Sequence, residues 1–136
     1  MRSFTDLETW KKSHALRKDI SQLVKDFPAE EKYRLVDQII RSSRSIGNNI
    51  AEGHGRFHYV DSKKFFINAR GSASETIDHL IIARDEGYID QDVFENMQAN
   101  CEECMRLING YINYLKQQAS QDWRISLISD HWLTNH

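Results

Sequence analysis

At 136 residues the chain is one domain by length, large enough to bury a working core, and its single Pro and six Gly favour an all-helical fold over one rich in irregular structure. The formal net charge of −2 is unevenly spread: residues 1–70 carry 14 Lys and Arg against 9 Asp and Glu, a net +5, while residues 71–136 carry 4 against 11, a net −7. Such polarity suits a polyanion or a partner of opposite sign, and equally a protein with one basic and one acidic helical surface.

Met1 to Trp10 is polar and of mixed charge, unlike a signal peptide, and no run approaches the ~20 apolar residues that span a bilayer. A cytoplasmic protein without membrane contact is expected. The first helix is predicted over residues 6–26, with Thr5 or Asp6 as cap and Leu16, Ile20, Leu23, Val24 and Phe27 as its apolar stripe. Pro28 ends it. Glu30 and Glu31 suit the first turn of a second helix, over residues 30–53, where the dipole favours anions. Its stripe is Val36, Ile39 or Ile40, Ser43, Ile46 and Ile50.

A connection over residues 54–59 leads to a third helix, over residues 61–86, with Phe66, Ala69, Ala73, Ile77 and Leu80 inward and Gly87 as its stop. The fourth helix, over residues 90–119, begins at the cap Asp90. Val93, Met97, Cys101, Cys104, Ile108, Tyr111 and Leu115 recur at steps of three and four and form its seam. Both thiols of the C-x-x-C lie on that seam, which makes them core hydrophobes; neither a βαβ unit nor two further zinc ligands accompany them. Short connections between long amphipathic helices make neighbours antiparallel, so residues 1–119 form an up-down-up-down four-helix bundle. Residues 120–136 carry Trp123, Ile125, Leu127, Ile128, Trp132 and Leu133 and are too apolar for a solvated arm. This tail is expected to dock on the bundle or on a neighbouring subunit.

Small residues at Ser42, Ser43 and Gly47, and at Gly71, Ser72, Ala73 and Ser74, predict close packing of the second and third helices. With the turn centred near His58, Arg41 lies level with Glu75, Gln38 with His79 and Glu52 with Lys64. A fold-specifying polar network of Gln38, Arg41, Asn49, Glu52, Ser72 and Glu75 follows, with Arg41 and Glu75 as a buried bidentate pair. No Glu-x-x-His repeat of di-iron bundles is present, and His54-x-x-x-His58 lacks the Glu of metalloproteases. No phosphate-cradling glycine loop or nucleophile elbow occurs either. No catalytic residue, metal or cofactor is expected, and the chain reads as a non-enzymatic protein.

Lys11, Lys18 and Lys25 recur every seven residues along the first helix, and Arg34, Arg41 and Arg44 follow one stripe of the second. Lys11, Lys18, Arg34 and Arg44 are the candidate contacts to RNA or DNA.

Leu7-x-x-Trp10, Lys11, His14-Ala-Leu16, Phe27-Pro28 and Glu31 are followed by Gln38-x-x-Arg41, Ser45-Ile46 and Asn49-Ile50-Ala51-Glu52-Gly53. Phe66, Ala69-x-Gly71-Ser72-x-x-Glu75 and Gly87-Tyr88-Ile89 complete a pattern that extends over residues 4–118. Together these motifs resemble the four-helix-bundle family encoded in bacterial 23S rRNA intervening sequences, often labelled ribosomal-protein-like. The resemblance implies an antiparallel bundle assembled as a ring-shaped homopentamer. It also implies kinship with the accessory protein of diversity-generating retroelements, which binds nucleic acid and a reverse transcriptase. Apolar residues outside the intrachain stripes, at Leu7, Trp10, Phe65, Ile67 and Ile82, fit a self-associating chain. Two roles are therefore expected: a nucleic-acid-associated accessory protein, or a protein-interaction scaffold that binds a protein partner and no nucleic acid.

Overall fold

In the computed structural model the backbone is described for residues 3–135 and side chains for residues 3–121. Helix α1 spans Glu8–Leu23, preceded by a 3₁₀ turn over Phe4–Asp6. Ser3 starts that turn, in place of the expected Thr5 or Asp6. Its Oγ accepts from the Thr5 amide at 3.0 Å and its own amide donates to Asp6 Oδ2 at 3.4 Å, a reciprocal capping box. Leu16, Ile20, Val24 and Phe27 are buried, as the stripe requires.

Helix α2 spans Leu35–His54 and starts five residues later than the acidic pair predicts. Ala29–Glu31 is a separate 3₁₀ turn. A tertiary contact holds it: the Tyr88 hydroxyl donates to Glu31 Oε2 at 3.0 Å, and the Tyr88 ring lies 5.4 Å from that of Phe27. Glu31 thus serves the α3–α4 turn instead of the α2 dipole.

Helix α3 spans Tyr59–Asp85. Gly87 stops it at φ +78°, in the left-handed region where a Cβ is strained. The amides of Gly87 and Tyr88 then reach back to the carbonyls of Arg84 and Ala83, both at 2.9 Å. Helix α4 spans Gln91–Asn135. Asp90 caps it, its Oδ1 accepting from the Val93 amide at 2.8 Å. The helix does not end near Ala119: no Gly or Pro follows Gly110, so no stop signal interrupts it. Where the side chains of the expected docking tail sit lies outside the described residues.

Helix α2 packs along α3, α3 along α4, and α1 against both α2 and α4. Short connections make successive helices antiparallel, which closes a four-helix, up-down-up-down bundle. Its core joins Leu16, Ile39, Ile46, Phe66, Leu80 and Ile108 with Cys101 and Cys104, all essentially without solvent exposure. Leu7, expected as surplus apolar surface, is part of this core. No described helix is long and apolar enough to cross a membrane.

Candidate functional site

Two polar regions flank α2. The first is its seam with α3. Ser42 Oγ and Thr76 Oγ1 lie 2.8 Å apart, as do Ser45 Oγ and Ser72 Oγ. Asn49 Nδ2 donates to the Ser45 carbonyl at 2.9 Å and to Ser45 Oγ at 3.0 Å, and Thr76 Oγ1 donates to the Ser72 carbonyl at 2.9 Å. The two cross-helix hydroxyl pairs centre on positions 59 and 58.5, within a residue of the predicted register. Ser42, Ser45 and Thr76 are therefore members that sequence reasoning left out. The signal for them was available: a hydroxyl residue every three or four positions on facing stripes.

The expected Arg41–Glu75 pair does not form. Both side chains are exposed, at 80% and 60%. Arg41 Nε instead meets Asp37 Oδ2 at 3.3 Å, and Glu75 Oε1 lies 3.6 Å from His79 Nε2. Arg41 finds a carboxylate one turn away on its own helix, which orders fewer side chains than a bridge between helices, and Glu75 approaches His79 without a hydrogen bond. Glu52 likewise pairs with Arg56, and Lys64 with Asp61. Gln38, Arg41, Ser42, Ser45, Glu75 and His79 still share one surface cavity, so the levels were right and the bonds were not.

The second region is the groove between α1 and α2, with a cavity of about 390 Å³. Trp10 forms one end. Its indole stacks on His14 at 4.7 Å between ring centres and meets Phe4 edge-on at 5.6 Å. Gly47 permits this approach: a Cβ there would lie 3.2 Å from Ser13 Oγ and 3.7 Å from Trp10 Nε1. Gly47 therefore serves the α1 contact and not the α3 contact expected of it. At the other end stand Arg17 and Arg44. Arg17 Nη2 donates to His14 Nδ1 at 2.9 Å. Among the described residues neither arginine has a carboxylate partner, and no Asp or Glu lines the groove.

Of the four candidate nucleic-acid contacts, only Arg44 lines this groove. Lys11 is exposed and held by Glu8 at 3.4 Å. Lys18 is exposed on the same face of α1, since seven residues return a helix to nearly the same direction. Arg34 is exposed at the N-cap of α2, at the end of the bundle where α1 finishes. The structure thus gathers Arg17, Arg44 and His14, and leaves Arg34 apart.

The model of the 23S rRNA-intervening sequence protein family matches residues 5–110. The chain belongs to this family. It is similar to a solved structure from Bacteroides thetaiotaomicron, described as a protein with unknown function from the S23 ribosomal protein family. The two share 27% identity over 77% of this chain and 95% of that one, with a TM-score of 0.72. No curated protein matches in sequence.

Proposed function

We propose that this 23S rRNA-intervening sequence protein is a binding protein, not an enzyme, and that it associates with RNA or DNA through the face built by α1 and α2. The carrying observation is the α1–α2 groove, where Arg17 and Arg44 converge with no carboxylate in the lining. Lys11 and Lys18 stand on the adjacent outward face of α1. Arginines without a carboxylate partner keep their charge available to phosphates, and phosphate contacts carry affinity without reading sequence. The net +5 of residues 1–70 supports the same face.

We also propose the ring-shaped homopentamer that the family resemblance implies, with the outward face of α3 as a self-association surface. Val60, Ile67 and Ile82 are exposed there. Gly71 shares that face, and a Cβ built on it meets nothing within 4 Å. A helical glycine costs about 1 kcal/mol against Ala, and no contact within the chain compensates for it at Gly71. A ring would repeat the basic face in every subunit and raise the field that each phosphate meets.

Retention on immobilised RNA and single-stranded DNA, measured across a salt series, tests the binding role. Binding should weaken steeply with salt and show little sequence preference. Lys11→Glu with Lys18→Glu should abolish it while leaving the melting temperature nearly unchanged. No retention at low salt would favour the protein-interaction scaffold instead.

A further inference from the structure

We infer that the α1–α2 groove is a nucleotide subsite, which takes one base together with its phosphate. The inference rests on the nucleic-acid reading above and gives it a specific seat. The groove's 390 Å³ falls in the range of small-molecule sites, roughly 300–1,000 Å³. Its two ends differ in chemistry. Phe4, Trp10 and Ala51 make one end aromatic and apolar, and Arg17 and Arg44 make the other cationic. Trp10 and Arg17 are seven residues apart on one helix, a rise of roughly 10 Å that their long side chains shorten. A nucleoside phosphate has the same division: a flat ring system at one end, a dianion at the other.

Each end is prepared for its part. The Trp10 ring is fixed before any ligand arrives, by Phe4 at its edge, His14 on its face and the bare backbone of Gly47. Stacking of a base on a preset ring forfeits little side-chain entropy and tolerates any base, since every base has a flat face. At the other end the His14 bond orients Arg17. Arg17 and Arg44 line the same groove with no Asp or Glu in its lining, so a phosphate seated there would meet two cations and no opposing carboxylate. Guanidinium forks suit phosphate oxygens, which accept two parallel N–H bonds. Asn48, which also lines the groove, offers an amide that can both donate and accept toward a base edge. A lone anion would use the arginines and leave the aromatic end idle. A nucleoside would do the reverse. Only the joined molecule uses both.

The ligand could be a free nucleotide or one residue of a strand, and the test separates them. The full chain is titrated calorimetrically with a nucleoside 5′-monophosphate, the matching nucleoside and inorganic phosphate. In parallel it is titrated with a single-stranded oligonucleotide and its fully abasic counterpart. The monophosphate should bind at least ten-fold more tightly than nucleoside or phosphate. Arg17→Gln and Arg44→Gln should each weaken it at least ten-fold, and Lys116→Gln, at an exposed position on α4, should leave it unchanged. Both arginines are surface-lining, so circular dichroism should show the fold intact. Should a variant fail to fold, competition on the native chain decides: the monophosphate displaces the bound oligonucleotide, and inorganic phosphate at equal concentration does not.

Equal affinity for the base-bearing and abasic strands would overturn the subsite and leave the phosphate-binding surface standing. Monophosphate binding with no strand retention at low salt would instead sink the nucleic-acid role and keep the subsite, as one for free nucleotides. A monophosphate that does not bind, or that binds the Arg17→Gln, Arg44→Gln double variant undiminished, would end the inference.

Discussion

Cys101 and Cys104 sit on the α4 seam with no solvent exposure, and that burial sets their chemistry. Loss of hydration pushes both thiols up to about 12 from an ordinary 9.0, with Lys12 pulling weakly the other way. The thiolate is the reactive form, so a native chain at pH 8 should label with a disulfide reagent only as fast as it opens. Rapid labelling without denaturant would show that the seam is not closed. The same burial has a pH signature. Below pH 9 the thiols are neutral in both states, and their contribution to stability is fully present. Between pH 9 and about 12 the unfolded chain releases protons that the folded chain keeps, so stability falls with rising pH. Denaturant midpoints at pH 8 and pH 10.5 should show that loss. A second residue-scale prediction concerns Gly53. A Cβ there would lie 2.9 Å from Phe66 Cε2 and 3.0 Å from Phe65 Cβ. The Phe66 ring is wholly buried and has no room to yield. Gly53→Ala should cost about 1–3 kcal/mol through overpacking. A thermal melt matching the native chain would count against the close α2–α3 approach at this level.

At the scale of elements, the α2–α3 seam is held by hydroxyls and not by charge. Thr76→Val removes the Ser42 and Ser72 contacts from a fully buried site, yet Ser42 keeps its 3.2 Å bond to the Ile39 carbonyl. The expected cost is about 1 kcal/mol. Glu75→Gln should cost less than about 0.5 kcal/mol, because an exposed carboxylate near His79 contributes little. Equilibrium unfolding in which Glu75→Gln proved the costlier change would overturn this ordering. The contrast shows what the sequence made legible. Apolar stripes and stop residues gave the four helices and the register between two of them, because those follow from period and turn length. Arg41 and Glu75 were level as expected, but level does not mean paired when Asp37 and His79 stand one turn away. The late start of α2 was not legible, since it depends on Tyr88, 57 residues from Glu31 along the chain. The candidate groove was half legible. Of its lining Arg44 declared itself by charge, whereas Arg17, His14 and Trp10 became a site only once Gly47 brought α1 against α2.

At the scale of the whole molecule, what the four helices leave uncovered matters most for assembly. Helix α3 buries Phe66, Ala69, Ala73, Thr76, Leu80 and Ala83 on one side and still shows Val60, Ile67 and Ile82 on another. Successive residues turn 100°, so Val60, Ile67 and Ile82 fall within about 60° of one another, with Gly71 and Asp78 between them. An outward stripe that is apolar at its ends and bare at Gly71 lets a second helix approach closely in the middle. Ile67→Glu would place a charge on that stripe without touching the intrachain core. If the proposed ring uses this face, Ile67→Glu should lower the mass seen by light scattering from five chains to one. The helical content should persist, because Ile67 is not among the buried residues. The same variant should bind RNA or DNA more weakly than the native chain although Lys11, Lys18, Arg17 and Arg44 are unchanged, since a single subunit offers one basic face where a ring offers several. A native chain that scatters as a monomer would refute the ring. A native pentamer that Ile67→Glu leaves intact would move the contact to another face and leave the outward stripe of α3 without a role in assembly.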